Sequence, residues 1–114
     1  MRRILITGSS GFIGSHLVKS LAKNKRYKIF VVDKKKFNFK NLQNIYQINI
    51  DLKNQKLKFP KNIDTVIHLA AYNGTKFFYE KPLDVINDNI LPTLNLINYF
   101  KKKKIKKIYL CRLT

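Results

Sequence analysis

Residues 7–14, Thr7-Gly8-Ser9-Ser10-Gly11-Phe12-Ile13-Gly14, constrain this chain more than any other stretch. They follow a short apolar run, Ile4-Leu5-Ile6, and open a helical pattern from Phe12 to Lys25. A strand, three glycines spaced by three and a helix bring a backbone close to a pyrophosphate. Gly8 permits the sharp turn off the strand, Gly11 leaves no Cβ in the way of a diphosphate, and Gly14 lets the helix lie close on the strand. Free N–H groups and the positive end of the helix dipole then face the phosphates. The spacing is G-x-x-G-x-x-G rather than G-x-G-x-x-G, so the glycines alone are a weak sign and their surroundings decide.

Ile4 to Thr7 read as a buried parallel strand, apolar without alternation. The helix from Phe12 sets Ile13, Leu17 and Leu21 on one stripe with Val18 beside them. His16, in its first turns, takes no role. Lys28 to Asp33 form a second strand. Asp33 lies nineteen residues past Gly14, where an acidic side chain hydrogen-bonds the ribose hydroxyls of a dinucleotide. A carboxylate there repels a 2′-phosphate and favours NAD over NADP. Lys34, Lys35 and Lys36 blunt that preference without reversing it.

Residues 34–44 form a basic, Asn-rich connection, and Ile45 to Ile50 alternate as a third strand ending at Asp51-Leu52. The polar stretch 53–62 is short for a crossover helix and reads as a loop or one turn. Ile63 to Ala71 form the fourth strand, closing on Ala70-Ala71, small residues that let a ligand pass near the backbone. A loop over 72–82 carries the aromatic cluster Phe77-Phe78-Tyr79. A long helix follows, from Leu83 to Lys103, with Ile86, Ile90, Leu94, Ile97 and Phe100 on its apolar face and a kink expected at Pro92. Ile108 to Cys111 make a fifth strand.

Five strands joined by helical or loop crossovers predict one α/β domain over residues 1–114, a Rossmann-type doubly wound parallel sheet in the order 3-2-1-4-5. Strands 1 and 4 then flank the switch point, and the glycine loop and the Ala70-Ala71 turn face one crevice.

Composition bears on partners. The net charge is +18, which by itself points to nucleic acid or an anionic surface. Yet lysine, asparagine and isoleucine make up 46 of the 114 residues and arginine only four. All three abundant residues have A/T-rich codons, and arginine is the residue that bidentate phosphate and base contacts prefer. The lysines are scattered, so they read as solvated faces of a coding bias, and nucleic-acid binding is the lesser reading. No apolar run has the length of a membrane span. The start Met1-Arg2-Arg3 leads into no signal-peptide core, because Thr7 to Ser10 interrupt it. The single cysteine, Cys111, excludes an internal disulfide, and the cytoplasm is the default compartment. No metal site is expected.

Taken as a set, Thr7-Gly8-x-x-Gly11-x-x-Gly14, Asp33, Asp51-Leu52, His68-Leu69-Ala70-Ala71 and Asn89-x-x-x-Thr93-x-Asn95-Leu96 resemble the amino-terminal part of the NAD-dependent epimerase/dehydratase family. These are extended short-chain dehydrogenases/reductases that act on nucleotide sugars. The motifs run in family order over the whole chain. The resemblance implies that Gly8, Gly11 and Gly14, with Phe12 and Ile13, hold the pyrophosphate. It implies that Asp33 holds the adenosine ribose and that Asp51 and Leu52 border the adenine. Leu69, Ala70 and Ala71 would line the cofactor near the nicotinamide ribose, and Asn89 would be a structural residue of the long helix. Pro92 stands where the family motif usually has glycine. The loop 74–82 is similar to that of members that handle nucleotide-sugar substrates.

The family's chemistry is hydride transfer at a sugar carbon, aided by a Tyr-x-x-x-Lys pair and a Ser or Thr after the fifth strand. Here that strand ends Cys111-Arg112-Leu113-Thr114, where the family shows serines. Thr114 fits the hydroxyl position only after a shift of about one residue. Two Tyr-x-x-x-Lys strings occur, Tyr72 to Lys76 and Tyr99 to Lys103. Neither follows the fifth strand, so both read as chance matches. The expectation is an NAD-binding fragment, truncated before the sixth strand and substrate domain, not catalytic alone, with a dimer surface on the helix 83–103. The alternatives are a small non-enzymatic nucleotide-binding or regulatory partner and a basic nucleic-acid-binding protein.

Overall fold

A computed structural model describes residues 2–8, 12–33, 43–54, 56–69 and 82–110. Among these residues seven elements follow in order: β1 (Arg2–Thr7), α1 (Phe12–Ala22), β2 (Tyr27–Asp33), β3 (Ile45–Asn49), β4 (Thr65–His68), α2 (Pro82–Phe100) and β5 (Lys107–Leu110). All five strands are parallel, in the order β3-β2-β1-β4-β5. The expected topology is therefore the observed one, with strand ends moved by one to three residues. The fourth strand is the shortest relative to expectation. It stops at His68, and Ala70-Ala71 lie outside the described residues.

β1 is central, and its register explains its composition. Leu5 sits between Phe30 and Val66, and Ile6 between Val31 and Ile67. A strand covered on both faces is apolar on both, so Ile4 to Thr7 show no alternation. The pleat sends Leu5, Phe30, Val32 and Val66 into one core, with Leu52, Phe59, Ile63, Leu96 and Phe100. It sends Ile4, Ile6, Ile29 and Val31 into a second core, with Val18, Ala22 and Leu69.

On α1 the expected stripe is largely kept, with Leu17 and Leu21 packed against the second core, whereas α2 is turned relative to expectation. On α1 the buried residues are Gly14, Val18 and Ala22, spaced by four, while Ile13 is 48% exposed. Gly14 brings the helix near the sheet, and larger residues fall to the flanks. The end of α1 is held from β3's side, where Asn44 Nδ2 donates to the carbonyls of Ala22 (3.1 Å) and Tyr27 (3.0 Å). On α2 the buried residues among those whose side chains are described are Pro92, Leu96 and Phe100, whereas Ile90, Leu94 and Ile97 face outward. This corrects the expected apolar face; Phe100 alone of its described members is buried. The physical reason lies in polar anchors. Asn95 Nδ2 donates to the Leu52 carbonyl at 2.8 Å, and the Tyr99 hydroxyl accepts from Phe59 N–H at 3.1 Å. Periodicity reports apolar residues; it does not report which face the hydrogen bonds select. The helix runs on through Pro92.

Between β3 and β4 the described residues form no helix, as the shortness of 53–62 implied. An Asx turn opens this crossover, with Lys53 N–H donating to Asp51 Oδ1 at 3.0 Å. Its Leu52 and Phe59 join the core that holds Phe30 and Val32. Phe30 and Tyr46 stack at 5.4 Å, with Arg3 4.9 Å above the first ring and Lys28 4.9 Å above the second.

Candidate cofactor crevice

A parallel sheet gathers the carboxyl ends of its strands on one edge. Here that edge carries Thr7-Gly8 at the end of β1, Asp33 at the end of β2, Asn49 at the end of β3 and His68-Leu69 at the end of β4. At Gly8 the chain turns with φ 74°, in the left-handed region, while its N–H still donates to the Val32 carbonyl at 3.1 Å. A Cβ at that φ costs energy, so glycine is the residue the turn requires. Gly11 lies outside the described residues. Phe12 and Ile13 open α1, whose first turn holds no acidic residue. The positive end of the helix dipole is thus uncompensated by a side chain of the helix at the crevice edge.

The other expected site residues divide. Asp33 is half-buried where β2 ends, and its carbonyl accepts from Asn49 Nδ2 at 3.3 Å. Asp51 is exposed. Leu52 and Leu69 are each 6% exposed, with side chains in the two cores. Contact with a ligand from either falls to the backbone. Ala70, Ala71, Asn89's side chain, the pair Tyr72 and Lys76, the aromatic cluster and Thr114 lie outside the described residues. Tyr99, in the last turn of α2, and Lys103, just beyond that helix, are placed away from the crevice. The Tyr99 hydroxyl clasps Phe59, and Lys103 Nζ lies 5.1 Å over the Tyr99 ring. That string is a structural clasp.

One group of residues had no assigned role in the sequence reading. Thr7 Oγ1 lies 2.6 Å from His68 Nδ1, His68 Nε2 lies 3.0 Å from Thr93 Oγ1, and Leu69 N–H donates to Thr7 Oγ1 at 3.1 Å. His68 is 4% exposed, and burial lowers its pKa below the ordinary 6.5. A polar residue inside a doubly covered strand must find partners, and the strand order sets β4 beside β1. That was the available signal for linking His68 to Thr7.

An open hollow of about 350 Å³ lined by Lys25, Tyr27, Lys28, Gln43, Asn44 and Tyr46 lies at the opposite edge of the sheet. Among the described residues no three His, Cys, Asp or Glu side chains gather as a metal site. No described helix is long and apolar enough to cross a membrane.

The family described as the NAD dependent epimerase/dehydratase family matches residues 4–112. A dTDP-D-glucose 4,6-dehydratase of Dictyostelium discoideum is 36% identical, over 94% of this chain and 28% of its own length. A UDP-N-acetyl-alpha-D-glucosaminuronate decarboxylase of Bacillus cytotoxicus is also 36% identical, over 95% of this chain and 36% of its own. Among solved structures, a UDP-glucuronic acid 4-epimerase of Bacillus cereus, in complex with UDP-glucuronic acid and NAD, superposes with a TM-score of 0.80 at 28% identity. That match covers 95% of this chain and 39% of the other. The enzyme WbmF of Bordetella bronchiseptica, in complex with NAD+, gives 0.83 at 28% identity, over 96% and 35%. The chain spans about a third of the length of these relatives.

Proposed function

The chain belongs to the NAD dependent epimerase/dehydratase family, and on that premise we propose that it is the NAD-holding part of a nucleotide-sugar epimerase or dehydratase, acting in the cytoplasm and not catalytic by itself. The observation that carries this reading is the joint between β1 and α1. A glycine at positive φ ends the central strand, and a helix without an acid in its first turn begins four residues on. Such a joint suits a diphosphate, whose charge meets N–H groups and the helix dipole.

In this reading Gly8, Gly11 and Gly14, with the backbone of Phe12 and Ile13, cradle the pyrophosphate. Asp33, half-buried at the end of the adjacent strand, takes the adenosine ribose hydroxyls and disfavours a 2′-phosphate, so NAD is preferred to NADP. Asp51 and the Leu52 backbone border the adenine, and the Leu69 backbone with Ala70 and Ala71 lies toward the nicotinamide ribose. The nicotinamide, when bound, accepts and returns a hydride at a sugar carbon. This chain's residues bind and orient the cofactor.

The test is NADH binding, read by fluorescence or calorimetry, for the wild type, Gly11→Asp and Asp33→Ala. The wild type binds, Gly11→Asp loses binding, and Asp33→Ala weakens it about tenfold, the loss of a charge-assisted hydrogen bond. No binding by the wild type at millimolar cofactor, or equal binding by all three, removes the assignment.

A second copy of the chain is the partner that α2 suits. Leu83, Ile90, Leu94 and Ile97 are 75%, 51%, 50% and 36% exposed. Between Lys81 and Lys101 there is no basic residue, in a chain of net charge +18. Two such chains repel elsewhere and approach most easily along this helix. Sedimentation velocity should find a concentration-dependent dimer that Leu94→Lys abolishes; a monomer at all concentrations removes the pairing.

A further inference from the structure

We propose that His68 is a positioning residue of the crevice, its ring cross-linking the carboxyl ends of β1 and β4 to α2 through Thr7 and Thr93. The proposal rests on reading that crevice as the NAD site.

The geometry is a continuous line of polar atoms through an otherwise apolar layer. Leu69 N–H donates to Thr7 Oγ1 at 3.1 Å, Thr7 Oγ1 meets His68 Nδ1 at 2.6 Å, and His68 Nε2 meets Thr93 Oγ1 at 3.0 Å. Because Thr7 Oγ1 already accepts from Leu69, its own hydrogen is suited to Nδ1. The ring is then neutral, with its proton on Nε2 donated to Thr93, an assignment made from the network. Burial of the ring favours the same state.

The residues joined are those next to the crevice. Thr7 precedes the Gly8 turn, and Leu69, which follows His68, also donates to the Thr7 carbonyl at 3.2 Å. Shifting the ring therefore shifts both lips of the crevice against α2. Among the described residues, the groups that face His68 are the Thr7 hydroxyl from β1 and the Thr93 hydroxyl from α2, with Leu110 beside it in register on β5. None of these is charged, so among the described residues an imidazolium formed there meets no counter-charge. It would also make both ring nitrogens donors and force the Thr7 hydroxyl to turn. Protonation thus loosens the cross-link, and cofactor affinity follows.

The chain has two histidines, and His16 is exposed, so the His68 imidazole can be followed by NMR. The experiment measures that titration and NADH affinity from pH 5 to 8 for the wild type, His68→Gln, Thr93→Ser and Thr93→Val. Expected are a neutral Nε2–H ring at pH 7 titrating below 6.5, and wild-type affinity falling about fivefold as it protonates, the worth of about one hydrogen bond. Thr93→Ser keeps this profile. Thr93→Val, a milder change than His68→Gln, binds more weakly at pH 7 and lacks the His68-linked step. Wild type and Thr93→Val binding NADH with parallel pH profiles, or His68 titrating at or above 6.5, overturns the inference alone. No NADH binding by the wild type at any pH overturns the cofactor reading and this inference with it.

Discussion

Replacing Leu96 by alanine tests the rotation of α2, and replacing Leu94 by alanine is its control. Leu96 is fully buried in the core that also holds Leu5, Val66 and Phe59, while Leu94, two residues earlier, is 50% exposed. Leu96→Ala removes three buried carbons, worth about 2.4 kcal/mol at about 0.8 kcal/mol each. The cavity left behind raises the loss to about 3 kcal/mol. Leu94→Ala removes the same carbons from a half-wet surface and leaves no closed void, so its loss is about 1 kcal/mol. With a slope of about 1 kcal/mol per molar urea, the midpoint moves by about 3 M for the first and about 1 M for the second. The chain has no tryptophan and six tyrosines, so far-ultraviolet circular dichroism is the suitable probe. Runs at two protein concentrations separate core loss from any loss of pairing through the outer face, because only the second depends on concentration. Equal losses, or a larger one for Leu94→Ala, would refute the rotation and with it the placement of Thr93 and Asn95.

Asn95→Ala strips the Leu52 carbonyl of its donor at 2.8 Å and should cost about 1–2 kcal/mol in the same urea assay, with weaker NADH binding if the Asp51-Leu52 turn moves. Stability should also fall as pH drops below 6.5. His68 has a folded pKa lowered by burial from the ordinary 6.5, so between the two values the unfolded chain holds a proton that the folded chain does not. The His68 contribution is present above 6.5 and is lost at up to about 1.4 kcal/mol per pH unit as pH falls through the folded value. His68→Gln should remove that part of the pH dependence, and urea midpoints at pH 7 and 5 check it.

The order of strands could be read from the chain because three signals agreed: the unalternating run at Ile4 to Thr7, the glycines after it and Asp33 at the end of β2. Each depends on local chemistry, and each survives in the structure as strand, turn or strand end. The helix faces were harder. α2 carries apolar residues around most of its circumference, so a 3.6-residue period admits more than one buried side. Tertiary hydrogen bonds from Asn95 and Tyr99 choose among them, and those partners lie about forty residues away in sequence. On α1 the expected stripe holds for Val18, Leu17 and Leu21, which pack on the second core, and fails at Ile13 alone. The close approach of this helix at Gly14 lets small Ala22 and Val18 meet the sheet, while Ile13, larger and apolar, stays outside. At the carboxyl edge of the sheet, the strand ends near Thr7, Asp33 and His68 were legible, but the line through Thr7, His68 and Thr93 was not. It joins three elements, and only the strand order brings two of them together.

Strand order also fixes a schedule. Of these five strands, β1 is made before the others and is the middle of the sheet, with β2 and β3 on one side and β4 and β5 on the other. A chain leaving the ribosome can zip β2 and then β3 onto β1 while the opposite flank of β1 has no partner. At about 5–20 residues per second, the roughly sixty residues between Thr7 and His68 leave that flank waiting for about 3–12 seconds. The crevice between β1 and β4 is therefore the later half to exist. Until His68 emerges, one side of the central strand is an unpaired apolar edge, and a chaperone or a neighbouring nascent chain has that interval in which to meet it.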